Sequence, residues 1–259
     1  LKVLIASKRR PGASGRQDGG VQTWVRTVAL QLAEMGHSPV IGDAQIHPTG
    51  QYDLGILANL HYTGRFVDQC ARVVAISHGI VEDERPIEGS WFTSEGVRDW
   101  WRRKGPIVRQ PIDLEFWHPG DGKRRFVTRF SHRKGLECLP GIAAKMGLEF
   151  RHVHNAGPES AREALQTSVC VLASGRAALE AMACGAPVVI LDHRQAYQGP
   201  LLDTNTTGAM MRNYSGRGGV IPTERSIEAA IRKAMDIGSL REHVEDNHNA
   251  ENIVRQLIA

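Results

Sequence analysis

The residues best placed to do chemistry lie between 174 and 192, SGRAALEAMACGAPVVILD. Gly175-Arg176 opens a run of good helix formers, so the unpaired N–H groups and partial positive charge of a helix N-terminus fall there. Arg176 adds a full charge, and Ser174 is a natural N-cap. The result is an anion site whose usual guest is phosphate. Glu180 follows one turn later among small apolar residues. A carboxylate there can accept two hydrogen bonds from a ribose diol. The plainer alternative is a helix residue facing water.

A strand, a tight turn, a helix and a second strand must hold these groups. Residues 169–173 (VCVLA) form a short apolar run, as in a strand buried on both faces. Gly185 and Pro187 stop the helix, and residues 187–191 form the second strand. A unit of this length implies a parallel pair with a right-handed crossover.

The N-terminal half repeats that logic. Residues 2–6 read as a buried strand, followed by the glycine-rich loop SKRRPGASGRQDGG. Lys8, Arg9, Arg10 and Arg16 make the loop basic: either a solvated surface or one that meets an anionic acceptor. Gly19-Gly20 opens a helix whose buried face is Val21, Trp24, Val25, Val28, Leu32 and Met35. Strands follow at 39–41, 53–60, 72–77 and 91–93, with His61 and His78 at the ends of two of them. Residues 94–105, SEGVRDWWRRKG, read as a short helix. Its Arg98, Arg102, Arg103 and Lys104 interleave with Trp100 and Trp101. That suits either an amphipathic surface helix with Val97 and Trp101 inward or a nucleic-acid contact, where charge follows phosphates and rings stack on bases. Residues 107–112 read as a strand, and PGDGK as a linker between domains 1–119 and 120–259, with the last helix expected to pack back on the first domain. A strand at 125–127, the loop TRFSHRKG and a strand at 148–153 follow. Helices are expected at 159–165, 227–235 and 244–258, with a glycine-rich, polar and mobile connection near the cleft over 199–219. His152 and His154 alternate on a strand with no carboxylate at ligand spacing, so no metal site is expected.

The segment LEAMACGAPVV at 179–189 resembles the nucleotide-sugar glycosyltransferases of GT-B fold, especially the large retaining family four. The resemblance implies an α/β fold, two Rossmann-like domains facing across a cleft. It makes Glu180 the residue that holds the donor ribose. Arg129 and Lys134, five apart as in the family's GRL…KG motif, would grip the donor diphosphate with Ser174, Gly175 and Arg176. Two cations beside a helix N-terminus neutralise a leaving pyrophosphate. Gly19 and Gly20 would lie beside the donor phosphates and sugar. His78, in SHGI, would be the catalytic-cleft histidine, with His61 nearby. PIDLEFWHP resembles the family's NGVD…F.P segment, and residues 155–158 would lie against the donor base. Two departures stand out: Thr128 replaces a glycine, and Leu172 replaces an acidic residue eight positions before Glu180.

Hydrophobic content of 41% and charged content of 23% describe an ordinary globular chain of 259 residues and exclude a disordered one. The net charge of +4 suits an anionic substrate. Four cysteines without paired spacing read as reduced thiols of a cytoplasmic protein, and no apolar run approaches a membrane span. The expected activity is transfer of a hexose or pentose from a UDP- or GDP-sugar to an acceptor hydroxyl, retaining and without metal or other cofactor. The acceptor would be a sugar, a lipid or a small metabolite. Alternatively it is a hydroxymethylated pyrimidine in DNA, as in phage DNA glucosyltransferases, contacted by Lys8, Arg9, Arg10, Arg16, His61, Arg98 and Arg102. A further alternative, resting on Leu172, is a binding protein for nucleotide-sugars or nucleic acid without catalysis.

Overall fold

A computed structural model describes residues 1–9, 11–12, 19–43, 48–60, 64–80, 85–131, 136–193 and 201–259. Arg10, Arg16, His61 and Lys134 lie outside them. The chain divides into two compact units, Leu1–Asp113 with His248–Ala259, and Leu114–Asn247.

In the first unit, β1 (Lys2–Ser7), α1 (Gly20–Glu34), β2 (Ser38–Asp43), β3 (Tyr52–Ala58), α2 (Gly64–Val67), β4 (Cys70–Ser77), β5 (Trp91–Phe92) and α3 (Glu95–Trp100) follow one another. The five strands are parallel, in the order β2-β1-β3-β4-β5. Val3 and Ile5 of β1 pack with Trp24, Val25, Val28 and Leu32 of α1, the face expected from helical spacing.

The second unit holds β6 (Phe126–Phe130), α4 (Leu139–Lys145), β7 (Glu149–Val153), α5 (Pro158–Gln166), β8 (Ser168–Ala173), α6 (Arg176–Ala183), β9 (Val188–Asp192), β10 (Leu201–Asp203), α7 (Thr206–Ala209), α8 (Glu224–Ile237) and all but the last residue of α9 (Arg241–His248). The order is β10-β9-β8-β6-β7, with only β10 antiparallel among the described residues. The last helix, α10 (Ala250–Ile258), belongs to the first unit, where Ile253, Val254 and Leu257 join its core.

Both sheets share one topology. The first strand has its successor on one side and the third strand on the other. The chain therefore reverses direction across β1/β3 and across β6/β8, and α/β sheets bind ligands at the carboxyl ends of such a pair.

Three of the elements differ from expectation, and one connection holds short elements of its own. Residues 107–112 are not a strand but two isolated bridges, Phe92–Ile107 and Ile112–Asn249. The helix expected over 94–105 stops at Trp100, because Arg102 adopts a left-handed φ of 50°. The connection 199–219 contains β10, α7 and a 3₁₀ turn at Met210–Arg212. Finally, the helix expected over 244–258 breaks at Asn249, whose side chain caps α10 by accepting from the N–H of Glu251 and Asn252 at 2.9 and 3.4 Å.

Candidate functional site: an anion cradle at the carboxyl edge of the second sheet

Arg129 lies on β6 rather than on the expected loop, in register with Leu172 of β8. The strand runs through Thr128 because that polar residue is satisfied inside the sheet: the Ser168 hydroxyl donates to its Oγ1 at 2.6 Å. The Arg129 side chain is 2% exposed. Its Nη2 meets Nε2 of His193, which directly follows β9. Since β8 separates β6 from β9, the guanidinium spans the carboxyl end of β8, beside the turn into α6. Its Nε and Nη1 have no hydrogen-bond partner among the described residues. Burial holds its pKa below the ordinary arginine value, yet guanidinium stays charged at neutral pH. Among the described residues no carboxylate pairs with it, and a buried cation with unsatisfied donors costs several kcal/mol unless an anion completes the site.

The turn beside it is built on Gly175, not on a Ser174 cap. Gly175 is the N-cap, at φ 59° and ψ −135°, a conformation that needs glycine, and among the described residues no side chain caps the helix. Its N–H donates to the Tyr214 carbonyl at 2.8 Å. The helix dipole of α6 then opens toward the carboxyl edge of the sheet. Ser174 and Arg176 are half-buried. Arg176 Nε donates to Glu180 Oε1 at 2.8 Å, one turn along the helix. Glu180 is therefore buried, not solvated as the plainer reading had it. Burial raises its carboxyl above the ordinary range, opposed by Arg176. Leu172 lies wholly within the apolar core of this unit.

The segment 213–216 carries no sequence signal for the place it takes. Asn213 and Tyr214 both adopt left-handed φ, 55° and 52°. Besides the Tyr214 bond to Gly175, the Gly216 N–H donates to Asp192 Oδ2 at 3.0 Å. NYSG signals a turn, but nothing in it says that the turn would lie against residues 175 and 192.

In the first unit, the exposed Gly19 and Gly20 open α1. The Gly19 N–H donates to Gln22 Oε1 at 3.1 Å, and Gln22 Nε2 donates to the Arg9 carbonyl at 3.1 Å. Ser7 Oγ reaches the same carbonyl at 2.6 Å, so Arg9 is fixed at the end of β1 while Lys8 is exposed. His78 follows β4 and is buried. Its N–H donates to Asn59 Oδ1 at 2.7 Å, and its ring meets Trp24 edge-on at 4.8 Å. Thus β1, α1, β3 and β4 bring Arg9, Gly19 and His78 to one edge of the first sheet. Arg98 is half-buried and paired with Asp99 at 3.0 Å, while Arg102 is exposed.

No protein-family model matches the chain, and no curated protein matches it in sequence. Solved structures do. Sucrose-phosphate synthase from Thermosynechococcus elongatus superposes with a TM-score of 0.61 at 13% identity, covering 99% of this chain and 97% of that one. An alpha-glucosyltransferase in complex with UDP and a 13-mer DNA containing a central A:G mismatch gives 0.55 at 11%, with 99% and 95% covered. An alpha-glucosyltransferase complex with UDP and a 13-mer DNA containing an HMU base gives 0.50 at 11%, with 99% and 94% covered. The fold is GT-B. Within a GT-B chain, Arg129, Gly175 and Arg176 occupy the carboxyl edge of the second sheet at its topological switch point.

Proposed function

We propose that this chain is a glycosyltransferase that moves a sugar from a nucleoside-diphosphate sugar to an acceptor hydroxyl. The observation that carries it is Arg129, buried with two unsatisfied nitrogens beside the N-terminus of α6. A pyrophosphate would supply the missing acceptors. As the bond to the sugar breaks, negative charge grows on that pyrophosphate, and the same cation and helix dipole stabilise it. Lys134, by its resemblance to the family's GRL…KG motif, is the second cation, and Glu180 holds the ribose. Gly19, Gly20 and His78 serve the sugar; His78 can hydrogen-bond a hydroxyl when neutral. Leaving-group stabilisation by side chains would make a metal unnecessary, and the family resemblance favours retention of configuration.

A thermal-shift series with UDP, GDP and their sugars tests this. A ligand at a hundred times its dissociation constant should stabilise the fold by about 2.7 kcal/mol. Arg129→Met should be at least as stable without ligand, since an uncompensated buried charge is removed. It should also lose the response to nucleotide. An unchanged response in that variant, or none in the wild type to any nucleotide, overturns the reading. A purely binding protein would bind the donor but never hydrolyse a labelled one slowly.

A second reading concerns the acceptor. The net charge is +4, and two GT-B neighbours are complexes with both UDP and DNA. These favour a hydroxyl on a modified pyrimidine of DNA as the acceptor over a lipid or a free sugar.

A further inference from the structure

Beyond the end of α3 the chain makes a short, unusually exposed turn. Trp100 is 61% exposed, and Arg102, Arg103 and Lys104 are all exposed. The left-handed Arg102, with its N–H donating to Asp99 O at 3.0 Å, swings the chain out of the helix. The acidic neighbours on α3 are already engaged. Glu95 takes a bidentate pair from Arg109 at 2.5 and 2.7 Å, and Asp99 pairs with Arg98. Arg102, Arg103 and Lys104 have no ion pair among the described residues.

The turn is not a loose surface feature. Trp101 Nε1 donates to the Gly79 carbonyl at 3.1 Å, and Gly79 directly follows His78. Three cations and an exposed indole are therefore fastened to the carboxyl edge of the first sheet, one residue from the histidine assigned to the sugar. Lys8 and Arg9 lie on that same edge, at the end of β1. Positive charge after β1 and beside the end of β4, with an aromatic face at the second, matches a phosphate backbone carrying an unstacked base.

We propose that the turn 100–104 is the docking surface for acceptor DNA, with Arg102, Arg103 and Lys104 on backbone phosphates and Trp100 stacked against an exposed base. This rests on the DNA-acceptor reading above. An enzyme that modifies a base must take it out of the stack, and an exposed indole anchored beside the reaction site is placed to hold the distorted strand.

Fluorescence anisotropy of the protein with a labelled short duplex, titrated over a range of salt, tests the surface without requiring turnover. Wild type should bind with a steep salt dependence. Arg102→Ala/Arg103→Ala/Lys104→Ala should flatten the slope by about 0.9 for each phosphate no longer neutralised. Trp100→Ala should weaken binding about tenfold while leaving the slope unchanged. Arg225→Ala/Lys233→Ala, two exposed cations on α8 of the other unit, should change neither. If the triple variant keeps the wild-type slope, or the α8 variant loses as much, the surface is elsewhere. If wild type responds to UDP in the thermal-shift series yet binds no duplex at low salt, this proposal falls and the donor reading stands. If it binds duplex with the expected slopes but ignores every nucleotide, the donor reading falls instead.

Discussion

Glu180 is the one charged residue among Ala178, Leu179, Ala181, Met182 and Ala183, all buried. Removing a carboxylate from water costs several kcal/mol, which Arg176 offsets only in part, so the proton is held above the ordinary carboxylate range. The folded state then binds this proton more tightly than the unfolded chain. Its stabilising contribution is fullest where the group is protonated and falls as pH rises through the window between the ordinary and the raised pKa. Glu180→Gln lacks that dependence but keeps an acceptor for Arg176. The stability of wild type minus that of Glu180→Gln should therefore grow as pH falls, in denaturant titrations across the acid range. A difference that is flat, or grows with pH, would show that Arg176 fully compensates the carboxylate. The pair stands at a spacing that makes helix neighbours, so it was open to reading from sequence. Its burial was not, because it depends on what else packs around α6.

At the scale of elements, the turn into α6 sets where the cradle lies. Gly175 occupies a φ/ψ region that side chains avoid, and its N–H is tied to the segment 213–216. Gly175→Ala should cost about 1–3 kcal/mol of stability and weaken nucleotide binding by shifting the start of the helix. Chemical denaturation and the UDP thermal shift measure the two effects. A variant as stable as wild type would mean that the turn tolerates another conformation. The strand-turn-helix-strand unit around this glycine was legible because apolar runs, helix formers and the Gly185 stop all agreed. Ser174 misled, since a preferred capping residue stood one place before the glycine that the geometry demanded. Thr128 misled in the same way, for a hydroxyl that finds a partner inside a sheet looks, in sequence, like the start of a loop. At the C-terminus the apolar period runs unbroken through His248, and it hides the capping Asn249 in its midst.

At the scale of the whole molecule, the first unit is assembled from two separate stretches of chain. The chain leaves the first unit at Asp113, builds the second, and returns at His248 to complete the first. Two backbone bonds fasten the return: Ile112 N–H to the His248 carbonyl at 2.7 Å, and Ala250 N–H to the Ile112 carbonyl at 3.1 Å. The Arg72 guanidinium also donates to the Leu257 carbonyl at 2.9 Å. Ile253, Val254 and Leu257 of α10 lie in the same cluster as Trp24 and Val28 of α1. Burying each is worth about 1.5–3 kcal/mol, so the three together rival the roughly 5–15 kcal/mol that holds a domain folded. A chain ending at Asn247 should therefore lose the cooperative melting of the first unit. The second unit contains Arg129, Gly175, Arg176 and Glu180, so it should keep its response to UDP. Calorimetry with and without UDP separates the outcomes. A truncated chain that melts as the full one does would mean that α10 adds little to the first core. One that also loses the response to UDP would mean that the donor site draws on residues of the first unit.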